Sequence, residues 1–544
     1  MPKICHTVFS TCILLTSFFC PSTVFSDALI VQEPGGLPRL EQPSIESFFL
    51  DGSVDKVAGI KINRSALAEL YHRHRFESLW ITGAELNSSS YIWVNTLEAS
   101  WKHGLNPEDY HLSSIQSMLD IQSDHLLDLE ILLSDGLLRF SRDMKSGNKE
   151  FHDAAPDWNI PVEPFDLVRE DRDLFSNTGM DRFIQSLIPS NDDYHQLQRM
   201  LVEYIALKAS GGWQSLGQGP ALEKNIRHVQ VVTLRNQLRL INDYTADMQA
   251  DPYYFSTALE NAVKKFQYRH HLVIDGVVGA ATRQALNIPI DYRIDQIKLA
   301  LERLRWLPDA LGEKYIWVNL ASSTLEVIEK GEQRLSMRSI IGRSYRPTPS
   351  LASELSTIVF NPEWVVPRRI AVEDMLPVQQ KLGDYLQKKN IRVLAGWSGV
   401  QSEINPDDID WNALNENYFP YQLRQSPGPH NSLGRFKFLF KNPFEIYLHD
   451  TPAKRLFSLE KRTFSSGCVR IEKPEALASI LLQNNPDVPD SVWHSKKTRY
   501  IRLAKKIPVY IVYMTAWVEK GEIHFQRDFY GRDRSILKLM NRNS

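Results

Sequence analysis

Apolar residues recur at three- and four-residue spacing through Arg64–His74 and Leu126–Met144. That is the period of helices that bury one face. Residues 45–215 are therefore expected to form a mainly helical domain, with no obvious chemical cluster, that reads as a scaffold. Gly211-Gly212, Gly217, Gly219 and Pro220 then mark a loop. A compact unit follows over 222–288. Val231, Leu234, Leu238 and Ile241 share one helical face, and Leu259, Val263 and Phe266 share another. Asp275-Gly276 is a strong turn pair, and Gly279 stands where the chain enters a last short helix.

The pattern changes from about residue 293. An amphipathic helix is predicted from Ile294 to Trp306, stopped by Pro308. Strand-like segments follow at Tyr315–Leu320, Leu325–Ile328, Ile358–Phe360, Phe444–His449, Val509–Met514 and Ile523–Phe525. Residues 293–535 are thus expected to form a mostly β domain. A polar, Pro-containing stretch over about 373–430 interrupts its strands, and it reads equally as a lid or as a passive insertion.

Length and composition set bounds on this picture. A chain of 544 residues exceeds one core. With 43% hydrophobic and 24% charged residues it is ordinary folded protein. Its 63 basic and 65 acidic residues leave a net charge of −2, no electrostatic footprint for nucleic acid. The first 26 residues read as a signal peptide: Lys3 gives a positive start, Val8–Cys20 is apolar, and Val24 and Ser26 are small residues at −3 and −1 of a cleavage site. A retained anchor is the alternative. Residues 27–44 read as a linker. Cys5, Cys12 and Cys20 fall in the segment to be removed, so the exported chain keeps Cys468 alone. An unpartnered thiol in an oxidising compartment is either an inert buried group or a reactive one.

The surrounding residues favour the reactive reading. His449 precedes Cys468 by nineteen positions, and Cys468 lies in Ser465-Ser466-Gly467-Cys468-Val469-Arg470. An imidazole can take the proton of a thiol and hold the thiolate as an ion pair. Gly467 leaves room beside the sulfur, and the amides of Gly467 and Cys468 are candidate oxyanion donors. In Phe444–His449, strand alternation puts Phe444, Ile446 and Leu448 on one face and Tyr447 and His449 on the other. His449 alone would read as a surface histidine at a strand end; the pairing changes that. Arg470 suits bidentate carboxylate recognition, or a structural salt bridge. No HExxH or paired-cysteine spacing occurs, and His270-His271 reads as a helix end, so no metal or cofactor is expected.

Ser-Ser-Gly-Cys-Val-Arg at 465–470 and Tyr-Leu-His-Asp-Thr-Pro at 447–452 resemble the L,D-transpeptidase (YkuD-type) catalytic domain. The likeness extends through Asn361–Pro367, Gly428–Arg435 and Ile507–Tyr510. Phe266-Gln267, Asp275–Gly279 and Thr282 resemble the three-helix peptidoglycan-binding module. Together the chain is similar to the large three-part enzymes of gram-negative bacteria. Many relatives carry histidine directly before the Gly-Cys pair; Ser466 stands here. The resemblance implies a periplasmic enzyme in which Cys468 attacks a stem tetrapeptide at its third residue, with His449 as general acid and base. D-alanine leaves, and a second stem's amine then takes the acyl group. Ser466, Gly467, Tyr447 and Arg470 are the expected positioning residues. Donor and acceptor stem peptides are the expected partners, and other wall-synthesis proteins stay open. A cysteine peptidase of wall peptides, and a chain that only docks to the wall, are the competing readings.

Overall fold

The structure is a computed structural model that describes residues 42–50, 55–83, 85–120, 125–167, 174, 179–246, 251–397, 401–483, 485 and 488–542. The expected signal peptide with Cys5, Cys12 and Cys20 lies outside the described residues, as does the expected linker up to residue 41. Helix Gln42–Leu50 begins just before that linker's expected end.

The N-terminal region is mainly helical, with Arg64–Arg73, Ser88–Ala99 and the long helix Leu126–Ser146 around one core that includes Trp80, Trp93 and Phe140. Asn63 and Asn87 cap the first two helices, their side chains accepting from Ala66 and Ser90 amides. The long helix carries polar residues on its buried side, most of them hydrogen-bonded. Glu130, for one, accepts from the amide of Leu79 and the hydroxyl of Tyr71. That satisfies a charge the core would otherwise exclude.

The central module consists of helices Gln230–Leu240, Thr257–Arg269 and Ala280–Leu286. Its motif residues are structural. The Gln267 amide donates to Asp275 Oδ1 (2.8 Å), Val277 O (3.0 Å) and Thr282 Oγ1 (3.1 Å), and its oxygen accepts from Gly276 N (2.8 Å). Gly276 has φ +78°, and a Cβ there would lie 2.8 Å from Glu260 Cγ, so the turn needs glycine.

Helix Ile290–Arg305 joins this module to the β domain and is buried along nearly its whole length. It packs against Leu197, Leu201 and Tyr204 of the N-terminal region and against Val512, Met514 and Ile523 of the β domain. Two of its buried arginines are ion-paired, Arg303 with Asp533 of the closing helix at 2.7 Å and Arg305 with Glu302. The closing helix, Asp533–Met540, packs in the same cluster and runs past the expected domain end.

The β domain is a closed sheet. Its strands are β1 (Lys314–Asn319), β2 (Thr324–Glu329), β3 (Glu332–Gly342), β4 (Ser350–Phe360), β5 (Phe436–Phe440), β6 (Leu448–His449), β7 (Thr463–Ser465), β8 (Val469–Ile471) and β9 (Arg499–Val512). The order runs β5-β6-β8-β3-β2-β1-β9-β4, and β4 pairs again with β5 to close the circuit. The short β7 lies off this path, parallel to β3. Trp158–Asn159 of the N-terminal region adds a parallel strand beside the start of β4. The interior is filled by Ile316, Val327, Ile358, Phe438, Leu448, Val469 and Ile511.

Two local expectations are corrected. The strand expected at Phe444–His449 is paired only over Leu448–His449: Glu445 has φ +54°, Phe444 is 42% exposed, and Asn442 holds a turn by accepting from Phe444 N and Ile446 N. The insertion spans the whole interval between β4 and β5 rather than 373–430. It builds its own four-stranded sheet from Trp364–Val365, Tyr421–Gln425, Ile391–Ala395 and Glu403–Ile404, over a core of Val366, Leu386, Val393 and Phe419.

Candidate active site

The nucleophile candidate is placed by sheet register. β6 and β8 run parallel, pairing Leu448 with Val469 and His449 with Arg470. Leu448 and Val469 are fully buried in the interior. Side chains alternate along a strand, so Tyr447, His449, Cys468 and Arg470 all project from the opposite face. His449 and Cys468 are diagonal neighbours there, since His449 stands level with Arg470 and Cys468 directly precedes Val469. On the other side β5 pairs Lys437 with His449, adding a second cation to the row.

His449 is oriented by its own loop. Its Nδ1–H donates to the carbonyl of Asp450 at 2.5 Å, which leaves Nε2 as the basic nitrogen. That carbonyl is held because the Asp450 carboxylate accepts from Arg435 N (2.8 Å), Thr451 N (2.6 Å) and Lys454 Nζ (2.5 Å). Burial, then the charges of Arg470 and Lys437, depress the imidazole to about 3, against the opposing effect of the Asp450 carbonyl. Burial pushes the Cys468 thiol up, while hydrogen bonds from Tyr447 and the charges of Lys437 and Arg470 pull it back. The resting pair is therefore a neutral thiol beside a neutral imidazole. The cations that favour a thiolate also disfavour an imidazolium, so these charges do not by themselves favour the expected thiolate–imidazolium ion pair.

The loop before Cys468 is fastened on both sides. Gly467 has φ +121°, a conformation that L side chains rarely adopt. Its amide donates to Ser465 Oγ (3.2 Å), whose hydroxyl donates onward to Cys468 O (2.5 Å). The Gly467 amide is thus occupied, which removes it as a ready oxyanion donor. The Gly467 carbonyl accepts from the buried Thr348 hydroxyl at 2.7 Å, and that hydroxyl accepts from Gly342 N at 3.0 Å. Ser466 turns away to accept from Arg346 Nη1 at 3.0 Å. Arg346 in turn holds Asp374 (2.6 Å) and Glu373 (2.5 Å) of the insertion.

Arg470 makes no ion pair among the described residues, and its Nε is buried without a partner. The salt-bridge alternative has no acceptor there. Tyr447 packs against the insertion's core, and Lys437 Nζ lies 3.8 Å from the centre of its ring. The insertion therefore adjoins the face that carries His449 and Cys468 through Tyr447 and through Arg346.

Known protein families resemble this chain in three stretches. The family model described as "L,D-transpeptidase catalytic domain" matches residues 313–509. The β domain is an L,D-transpeptidase domain. A "Scaffold domain" matches residues 65–201, and a "Putative peptidoglycan binding domain" matches 227–286. A Haemophilus influenzae protein named "Putative L,D-transpeptidase" is 40% identical over 244 residues, 44% of this chain and 48% of that protein. The match thus spans about half the length of that relative. Among solved structures, an L,D-transpeptidase from Stackebrandtia nassauensis is 15% identical, covering 54% of this chain and 94% of its own, with a TM-score of 0.23. One from Mycobacterium smegmatis is 12% identical over 37% and 58%, with a TM-score of 0.18. The assignment rests on the family models and the curated relative.

Within this L,D-transpeptidase domain, three residues of the site escaped the sequence reading. Lys437 sits in Phe436-Lys437-Phe438-Leu439-Phe440, where alternation alone marks it as outward-facing; only its pairing with His449 gives it meaning. Arg346 and Thr348 lie in a loop far from Cys468 in sequence, with no local motif.

Proposed function

We propose that this chain is a peptidoglycan L,D-transpeptidase, exported by its N-terminal signal peptide to the periplasm. The observation that carries the reading is the single face bearing Tyr447, His449, Cys468, Arg470 and Lys437. The free guanidinium of Arg470 and the ammonium of Lys437 suit a donor peptide that ends in a carboxylate. Binding that carboxylate offsets the two cations that depress His449, so substrate itself raises the basicity of Nε2.

The Cys468 sulfur then attacks the carbonyl of the third stem residue, meso-diaminopimelate, as its proton moves to His449 Nε2. The Tyr447 hydroxyl and the neighbouring cations stabilise the developing oxyanion. The bond to D-alanine breaks, the imidazolium returns its proton to the leaving amine, and a thioester remains. A side-chain amine of a second stem attacks that thioester with His449 as base. The sulfur leaves and recovers the proton, and a 3→3 cross-link results. The peptidoglycan-binding module and the scaffold present the wall to this face.

The test uses the full chain with a stem tetrapeptide ending in D-alanine, measuring released D-alanine and mapping the acylated peptide by mass. Release with an adduct on Cys468, absent in Cys468→Ala and strongly slowed in His449→Ala, supports the reading. Release that persists in Cys468→Ala sinks it.

A further inference from the structure

Between the peptidoglycan-binding module and the catalytic domain lies a cleft of about 540 Å³. No residue of the catalytic face lines it. Four cations border it, Arg293, Lys461, Arg462 and Arg527, against two carboxylates, Glu460 and Asp528. The Asp528 carboxylate is already engaged, accepting from the Tyr513 hydroxyl and from the amides of Arg532 and Asp533.

Arg293 is only 3% exposed, yet no carboxylate lies within ion-pair distance of it among the described residues. Its guanidinium donates to Gln296 Oε1 (2.8 Å) and Ala285 O (3.1 Å), and it lies 4.5 Å from the centre of the Phe525 ring. Arg462 donates to backbone carbonyls of Ser322 and Leu459, and its Nε is buried with no partner. The buried Nε2 of His271, also on the lining, has none either. Burying guanidinium groups without a counter-ion is costly, so the chemistry the cleft lacks is an anion. Phe525 and Leu272 give it an apolar wall as well.

We propose that this cleft is a second binding site, which takes the carboxylate end of a wall stem peptide, with Arg293 and Arg462 holding the anion. The preference for an anion rests on the cleft alone. The choice of a stem peptide rests on the function proposed above and on the position of the cleft at the face of the peptidoglycan-binding module.

The experiment is calorimetric titration of full-length Cys468→Ala protein with the tetrapeptide L-alanyl-γ-D-glutamyl-meso-diaminopimelyl-D-alanine. Three further variants are built on it: Arg462→Gln in the cleft, and Ala281→Trp and Arg527→Glu at exposed positions on its rim. The parent is expected to show two classes of site. One of them should weaken about tenfold or more in each variant, the scale of a lost charge-assisted hydrogen bond. If Arg462→Gln fails to fold, the two rim variants still decide. A single class of site, or two classes untouched by the rim variants, overturns the proposal. Cleft binding in a protein whose Cys468 form releases no D-alanine supports the cleft and counts against the function proposed above.

Discussion

Replacing Lys437 with methionine keeps the length of the side chain and removes one of the two cations beside the nucleophile. Lys437 is the cross-strand partner of His449, and its charge pulls the Cys468 thiol down. A neighbouring opposite charge typically lowers an acid by about 1–3 pK units. Solvent screening on this partly open face reduces that to about one unit. His449 loses the same depressing charge, yet starting from about 3 it stays neutral at pH 7. The effect therefore falls on the thiol. A thiol raised by about one unit has about tenfold less thiolate at pH 7, but each thiolate is more nucleophilic. With a Brønsted slope of about 0.4 to 0.5, the net rate falls about threefold to fourfold. The assay is the pH dependence of Cys468 alkylation by iodoacetamide. Lys437→Met should shift the midpoint up by about one unit and slow the neutral rate accordingly. An unshifted midpoint refutes the assignment of Lys437 as an electrostatic partner of the sulfur.

Other expectations follow from the same geometry. Thr348→Val preserves shape but strips partners from the Gly342 amide and the Gly467 carbonyl, so about 2–4 kcal/mol of stability should be lost; a variant with the parent's unfolding temperature and acylation rate speaks against the clamp. Arg346→Met frees Ser466 and the insertion's Glu373 and Asp374, which are 45% and 35% exposed, so the stability cost should be small. Its main effect should be faster hydrogen exchange in residues 368–382, and unchanged exchange there contradicts the link between insertion and nucleophile loop. Because His449 is depressed to about 3, it remains an unprotonated base as pH falls from 7 to 5. Its protonation should produce no acid limb near 6.5 in kcat/KM; a limb at that position, lost in His449→Gln, shows that the free enzyme's imidazole is not depressed.

The residues of the candidate site were legible in the sequence to very different degrees. His449 and Cys468 stood out because each sits in a dense local string. The alternation Tyr447–His449 also survives in the structure, although the paired strand is shorter than expected. What the string could not reveal is register. The parallel pairing of β6 with β8, whose partner residues are twenty-one apart in sequence, is what brings Arg470 level with His449. The antiparallel pairing with β5 does the same for Lys437.

The longer strands were under-read for a physical reason. β9 carries a register shift between Arg502 and Ile507, and the Lys505-Lys506 pair within it hides its periodicity. The insertion read as polar because its strands are two to five residues long, too short to display alternation. Its core residues are nonetheless as buried as those of the barrel, with Val366 and Val393 fully enclosed. The helical segments fared better, since Leu126–Ser146 and Thr257–Arg269 are long enough for the 3.6-residue period to show. The cleft beside Arg293 had no sequence signature, because its walls come from the binding module, the joining helix and three loops of the β domain.

The proposed function requires that Cys468 transfer a stem peptide to an amine. Its most direct test incubates the full chain with disaccharide-tetrapeptide muropeptides and follows the products by mass spectrometry, with Cys468→Ala as control. Loss of D-alanine together with a dimer joined through two diaminopimelate residues, both absent from the control, is the expected result. Loss of D-alanine with water as the acceptor at every muropeptide concentration, and never a dimer, would contradict it and make the enzyme a hydrolase.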